Sequence, residues 1–330
     1  YKFSKTSKDC SIFAEIPNNI KNLNIRVTQG KQIIFENKLD KPPTLLKHKD
    51  KPRFKRFVKE DRDALLVLPR YDGNLMRSVV EIIDLNTFEV LHTYKHDITS
   101  MNNLIDISNK EHSAVRVDDS EIRFEYRHPL ILENGSLISD SDYAPLFKID
   151  FCSNLLWINQ EERFHHSKNL DSRGNVWTAS QMYPYSTFVS SYIEEYGFND
   201  DAIAKVNQKG EIIFIKSVVE ILVENGIKKI NILDVYDPIH LNDIEPAFEN
   251  SKYWNKNDLF LSTPKLNAII QYRPSTNKVI RYIKGKFVTQ HDVDIISDKE
   301  ISIFNNNNKI LGSSEYSEVL IYNFETETFS

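Results

Sequence analysis

Gln290-His291-Asp292-Val293-Asp294-Ile295-Ile296, running on to Ile301-Ser302-Ile303-Phe304-Asn305-Asn306, reads as a β-hairpin. Val293, Ile295, Ile301 and Ile303 alternate with polar neighbours, the two-residue period of a half-buried strand. Ser297-Asp298-Lys299-Glu300 supplies the turn. A histidine heads the first strand, and this layout recurs.

His128-Pro129-Leu130-Ile131-Leu132 turns at Glu133-Asn134-Gly135-Ser136 into Leu137-Ile138. His166-Ser167-Lys168-Asn169-Leu170 turns at Asp171-Ser172-Arg173-Gly174 into Asn175-Val176-Trp177. His240-Leu241-Asn242-Asp243-Ile244 is followed, after an insertion, by Asp258-Leu259-Phe260-Leu261-Ser262. Behind each comes a second hairpin without a histidine. Residues 144–150 pair with 154–157, 202–207 with 211–214, 268–272 with 278–280, and 319–323 with 326–329. Residues 79–84 with 89–92, preceded by 63–68, make a partial copy. Two hairpins per repeat give a four-stranded antiparallel blade. Copies about 50 to 65 residues apart suit an all-β propeller with loop insertions. Four or five blades are legible this way.

Residues 1–55 read as a β-hairpin appendage and linker, and 56–330 as the propeller. In the appendage, residues 24–28 and 32–35 flank a turn at Gln29-Gly30-Lys31, and a basic, proline-containing connection follows. Residues 216–226 place Val218, Ile221 and Leu222 at helical spacing before Gly226, which predicts a short helix in an insertion. Because open strand edges are a liability, the ring is expected to close through the N-terminal hairpin or through residues beyond 330.

The 330 residues are 40% hydrophobic and 27% charged, with net charge −5, as in a folded soluble protein. No basic stripe is present, which argues against nucleic acid as a partner. No apolar run approaches the roughly 18 residues of a spanning helix. Starting at Tyr1, the chain is expected to follow a signal peptide or N-terminal anchor. Cys10 and Cys152 are open between one disulfide and two free thiols.

The first strand of a propeller blade lines the central channel. Residues heading these strands converge, however far apart in sequence. His128, His166, His240 and His291 are therefore expected to point into one funnel, with His165 adjoining. Imidazole can act as general acid, base, nucleophile or metal ligand. A metal is not expected, because no acidic residue shares the register and no His-x-His or Cys-x-x-Cys pattern exists. The other histidines, His48, His92, His96 and His112, are expected at the surface. Trp157, Trp177 and Trp254 are read as core, and Asp84, Asp150 and Asp171 as turn residues. Met182, Tyr183 and Tyr185 are read as an exposed loop or a funnel for an aromatic ring.

Four motifs in series carry a family resemblance. They are Phe164-His165-His166-Ser167 with Asp171, Gly174-Asn175 and Trp177; Asp237-Pro238-Ile239-His240-Leu241-Asn242-Asp243; residues 258–262 followed by 267–270; and Gln290-His291-Asp292 with Phe304-Asn305-Asn306. Over residues 60–325 the chain resembles the arylsulfotransferase family of bacterial β-propellers. The resemblance implies a six-bladed propeller that moves a sulfuryl group from an aryl sulfate to a phenol-like acceptor without a cofactor. It implies that His291 is the nucleophile, with His166, neighboured by His165, and the His240-Leu241-Asn242 motif acting on the sulfate and phenol; His128, by its register, and Lys265 are expected as further substrate contacts. It further implies a periplasmic or membrane-anchored extracytoplasmic location. One position departs: where the family has an arginine, Ser262-Thr263-Pro264-Lys265 has Pro264. Either Lys265, or Arg127, Arg163 or Arg273, supplies the missing cation, or the chain is a non-catalytic propeller that binds a ligand or partner.

Overall fold

The computed structural model describes residues 22–29, 32–40, 53–56, 64–108, 120–142, 144–194, 197–227, 236–306 and 316–330. The chain divides into two compact units, Tyr1–Asp61 and Arg62–Ser330. In the first, β1 (Asn22–Gln29) and β2 (Gln32–Asp40) form a two-stranded antiparallel sheet of their own.

The second unit is a β-propeller. Blade 1 holds three strands, β3 (Leu65–Asp72), β4 (Arg77–Asp84) and β5 (Val90–Tyr94). Blade 2 holds β6 (Arg127–Ile131), β7 (Leu137–Asp140), β8 (Leu146–Ile149) and β9 (Leu155–Asn159). Blade 3 holds β10 (Arg163–Leu170), β11 (Val176–Gln181), β12 (Asp201–Val206) and β13 (Ile212–Ser217). Blade 4 holds β14 (Asp243–Pro246), β15 (Leu259–Thr263), β16 (Ala268–Arg273) and β17 (Lys278–Ile283). Blade 5 holds β18 (Val293–Ile295), β19 (Glu300–Asn305), β20 (Glu318–Asn323) and β21 (Thr328–Phe329). Within each blade, every strand pairs antiparallel with the next. The first strands of successive blades are neighbours, in the order β3, β6, β10, β14, β18.

The blade count is five, not the six implied by the resemblance. Among the described residues of this unit, every strand is already used in those five sheets. The count read from the hairpins alone is the one that stands.

Burial follows from blades stacking face to face. In blades 2 to 4 the second and third strands are buried on both faces, while the fourth strands alternate with exposed residues. Four apolar clusters fill the four interfaces between successive blades. Phe124 and Phe147 lie in the first, Phe164 and Ala204 in the second, Trp177 and Leu261 in the third, and Phe260 and Ile303 in the fourth. The expected helix is α1 (Val218–Glu224), capped by Ser217, whose hydroxyl accepts from Glu220 N; Val218, Ile221 and Leu222 bury its apolar face in the third cluster.

Turn chemistry sets the hairpins. Asp84, Asp150 and Asp171 each accept backbone N–H bonds within their own turns, as read from sequence. Gly210 closes the β12–β13 turn at φ +87°, and a Cβ there would come within 2.7 Å of the Trp157 ring. Trp177 and Trp254 are buried, as expected of core residues. The Met182–Tyr185 loop is half-buried, and Tyr185 is tied down where its hydroxyl accepts from Gly197 N and Phe198 N.

Two expectations about side chains need correction. His96 is buried, not at the surface. It packs beside Phe147, its backbone N–H donates to Tyr126 Oη, and Nδ1 lies 2.8 Å from the Ser153 carbonyl. Its charged neighbours Lys95 and Asp97 hide this in the sequence. Arg273 is not available as a spare cation, because it binds the buried Asp258 through Nε at 2.7 Å and Nη2 at 2.8 Å. Asp258 also accepts from Gln271 Nε2 at 2.9 Å and Asn255 N at 3.0 Å. Asp258→Ala strands these donors and is expected to cost about 3 kcal/mol, measured as a lower urea midpoint. His48, His112 and Cys10 lie outside the described residues, and Cys152 is exposed and unpaired.

Candidate functional site

The histidine strands depart from regular pairing where the histidines sit. In β6, Arg127 pairs with Asp140 and Leu130 with Ile138, so His128 falls in a bulge. In β10, His165 pairs with Ala179 and Lys168 with Thr178, so His166 and Ser167 leave the ladder. His128, His166 and His240 all adopt left-handed backbone, with φ of 39°, 57° and 52°. Such backbone is uncommon for residues with a Cβ, costs about 1–3 kcal/mol each, and clusters at functional sites. Ahead of the first strand of blade 5 the left-handed residue is Thr289, at φ 52°, two positions before His291.

These bends bring the four rings together. The His166 ring centroid lies 5.2 Å from that of His240, 6.1 Å from His128 and 6.3 Å from His291. Residues spread over four blades thus share one space, as the strand register predicts.

Each central ring is tied at Nδ1. His166 Nδ1 lies 2.7 Å from His165 Nδ1, and His165 Nε2 lies 3.4 Å from Asp201 Oδ1. His240 Nδ1 lies 2.6 Å from Asp237 Oδ2. His291 Nδ1 lies 2.9 Å from Asn306 Nδ2, and the Thr289 carbonyl also accepts from the His291 ring. Carboxylates clasp the backbone beside the histidines. Asp201 Oδ2 accepts from Leu241 N at 2.5 Å, and Asp243 Oδ2 accepts from Val293 N at 3.0 Å. Asn242 donates from Nδ2 to the Gln290 carbonyl at 2.9 Å. The segments bearing His240 and His291 are therefore each sewn to the blade before them.

The environments push the imidazoles apart in charge. The hydrogen bond from Asp237 raises the His240 pKa, against the effect of burial. Burial lowers His291, helped by the nearby His240 and opposed by the Thr289 carbonyl. Burial and neighbouring histidines drive His166 far down. Burial and Lys168 lower His128 to about 4. The charged form is thus favoured at His240 and disfavoured at His291, His166 and His128.

Pro264 is buried in a short 3-10 turn with Lys265 exposed beside it. Lys265 N contacts the Ile239 carbonyl at 3.4 Å, and its charge bears on Asp237 and His240. Of the other candidate cations, Arg127 pairs with Asp142 and Arg163 Nε donates to the Asp142 carbonyl. His165 adjoins the His166 ring, and Asn242 is buried at its bond to the Gln290 carbonyl.

Asp237, Asn306, Asp201 and Lys168 are the residues sequence reasoning missed. Asp237 and Asn306 had a readable signal, since both stand in the quoted motifs near their histidines. Asp201 and Lys168 act across strands, where spacing carries no sign of contact. Among the described residues, no group of three or more His, Cys, Asp or Glu has the geometry to hold a metal ion. No helix among them is long and apolar enough to cross a membrane.

The sequence model of the arylsulfotransferase (ASST) family matches residues 128–330. No curated protein matches the chain. Among solved structures, the chain is similar to a protein of unknown function from Bacteroides caccae, at 11% identity and TM-score 0.46 over 80% of this chain and 70% of that one. It is also similar to an inactive virginiamycin B lyase from Staphylococcus aureus with quinupristin, at 12% identity and TM-score 0.37 over 62% of this chain and 54% of that one. A third is the hydrazine synthase of Kuenenia stuttgartiensis, at 9% identity and TM-score 0.42 over 78% of this chain and 65% of that one. None of the three is close enough to carry a function across. The family match takes in the last four blades and every histidine of the cluster, and on it the chain belongs to the arylsulfotransferase (ASST) family.

Proposed function

We propose that the protein moves a sulfuryl group from an aryl sulfate to a phenol-like acceptor through a sulfohistidine at His291. The observation that carries the reading is the meeting of three imidazoles, each tied at Nδ1 by a different partner. That arrangement makes Nε2 the working nitrogen of each ring.

His291 is neutral at neutral pH, as a nucleophile must be. For its Nε2 to carry the lone pair, Nδ1 must hold the proton. The Asn306 amide suits that tautomer when its oxygen faces Nδ1. His291 Nε2 forms a bond to sulfur as the sulfur–aryl oxygen bond breaks. The His240 imidazolium gives its Nε2 proton to the leaving phenolate. In the second step the acceptor oxygen attacks sulfur and the electron pair of the nitrogen–sulfur bond returns to His291. Asp201 favours the Nε2–H tautomer of His165, whose Nδ1 then accepts from His166 Nδ1–H. The acceptor's proton goes to Nε2 of His240, neutral since the first step, which restores the imidazolium, while the weakly basic His166 Nε2 only accepts a hydrogen bond from the acceptor hydroxyl. Lys265 and His128 face the sulfuryl oxygens, and His165 and Asn242 hold the frame. No cofactor enters, and an extracytoplasmic site of action suits the family.

A second reading is a propeller that binds such ligands without turning them over. Pro264 in the arginine position favours it, since Lys265 offers a point charge and not a planar fork. Incubation with 4-nitrophenyl sulfate and a phenol decides between them. Release of nitrophenolate together with a sulfated acceptor is expected. Binding without turnover over a panel of aryl sulfates would leave only the second reading.

A further inference from the structure

We infer that the buried ammonium of Lys168 is a positioning group that staples together the two bulges presenting His128 and His166. The inference rests on reading the histidine cluster as the working site. Lys168 touches no substrate, because its side chain is wholly buried.

A bulge frees backbone carbonyls from the ladder, and buried carbonyls need donors. Lys168 Nζ lies 2.7 Å from the carbonyl of His166 itself. It lies 3.3 Å from the carbonyl of Arg127, the residue before His128, which also accepts from Ser139 Oγ at 2.9 Å. Its third partner is Asp140 Oδ1 at 2.7 Å, and that side chain is equally buried. An ammonium has three donors, and here all three are used.

The two carbonyls belong to different blades. One cation therefore sets the distance between β6 and β10 at the point where both strands bend. The same two bends aim imidazoles whose centroids are 6.1 Å apart. Asp140 pairs with the ammonium, whose charge still lowers the pKa of the neighbouring His128. The staple itself acts on geometry. A buried ion pair is a costly way to fill space, and apolar residues would fill it at least as well for stability. Its use here follows from the two carbonyls, which no apolar side chain can hold.

The test pairs two measurements. In the wild-type protein labelled with 15Nζ-lysine, the Lys168 ammonium is expected as a slowly exchanging signal at neutral pH. In the K168M/D140N variant, which leaves no lone buried charge, the ring 15N signals of His128 and His166 are expected to shift or broaden while those of His240 and His291 hold. Where turnover is present, kcat is expected to fall about tenfold or more with KM within about threefold, as for lost orientation. A fast-exchanging ammonium in the wild-type protein overturns the staple. So does a folded double variant with unmoved His128 and His166 signals. The ring and ammonium signals are read without substrate, so a wild-type protein that transfers no sulfuryl group would sink the enzymatic reading and still leave the staple to be decided by them.

Discussion

His291→Ala is expected to abolish sulfuryl transfer, with kcat lower by about four powers of ten or more, as when a covalent nucleophile is removed. The acid-labile adduct on residue 291, trapped with an aryl sulfate and read by mass spectrometry, is expected to vanish with it. The variant should fold normally. His291 is only half-buried, and its backbone N–H bond to the Phe304 carbonyl, at 2.9 Å, does not depend on the side chain. The partial reaction gives the sharper discrimination. With donor alone, the wild-type protein should release one burst equivalent of phenol and stop, because a ping-pong enzyme waits for its acceptor. His291→Ala should give no burst. An adduct that forms on His166 or His240 instead would overturn the assignment of the nucleophile.

The second large effect is in the pH profile. The ordinary histidine pKa is about 6.5. Asp237 raises His240 above it, so the imidazolium is fully present below that value and lost as pH climbs through the raised one. Burial lowers His291, so its neutral form is fully present above about 6.5 and lost only as pH falls through the lowered value. Activity should thus be bell-shaped, with its maximum around the ordinary histidine pKa. Asp237→Asn removes the carboxylate and leaves burial and Lys265, which lower the His240 pKa, opposed only by Asp201. The alkaline limb should move to lower pH, and kcat/KM at pH 7.5 should fall by about two powers of ten, the usual size of a general-acid contribution. Superimposable profiles of kcat/KM against pH for wild type and Asp237→Asn would show that His240 is not the acid.

Much of the site was legible because a propeller turns sequence distance into neighbourhood. His128, His166, His240 and His291 share a position relative to their hairpins, and that alone placed them together. The same logic gave the strand pairs of blades 2 to 5, including residues 319–323 with 326–329, where the structure sets Tyr322 opposite Phe329. What stayed hidden depends on contacts across strands. Asp201 lies 36 residues from His165 in sequence (201 − 165), yet 3.4 Å from it in space. Lys168 looked like any lysine in a polar stretch, and only the bulge turns it inward. His96 was misread for the opposite reason, since charged neighbours disguised a residue that fills a blade interface. The count of six blades came from likeness alone, and the strands themselves number enough for five.

The left-handed bends at residues 128, 166 and 240 have a consequence for change over time. The bend belongs to the main chain and its clasps, so asparagine or glycine could occupy these positions with the backbone already shaped for them. The scaffold then behaves as a set of sockets. Chemistry can be exchanged at three points without the fold being renegotiated, so an enzyme and a mere receptor would be separated by only a few substitutions. For this chain, the socket positions are where a gain or loss of activity should be sought.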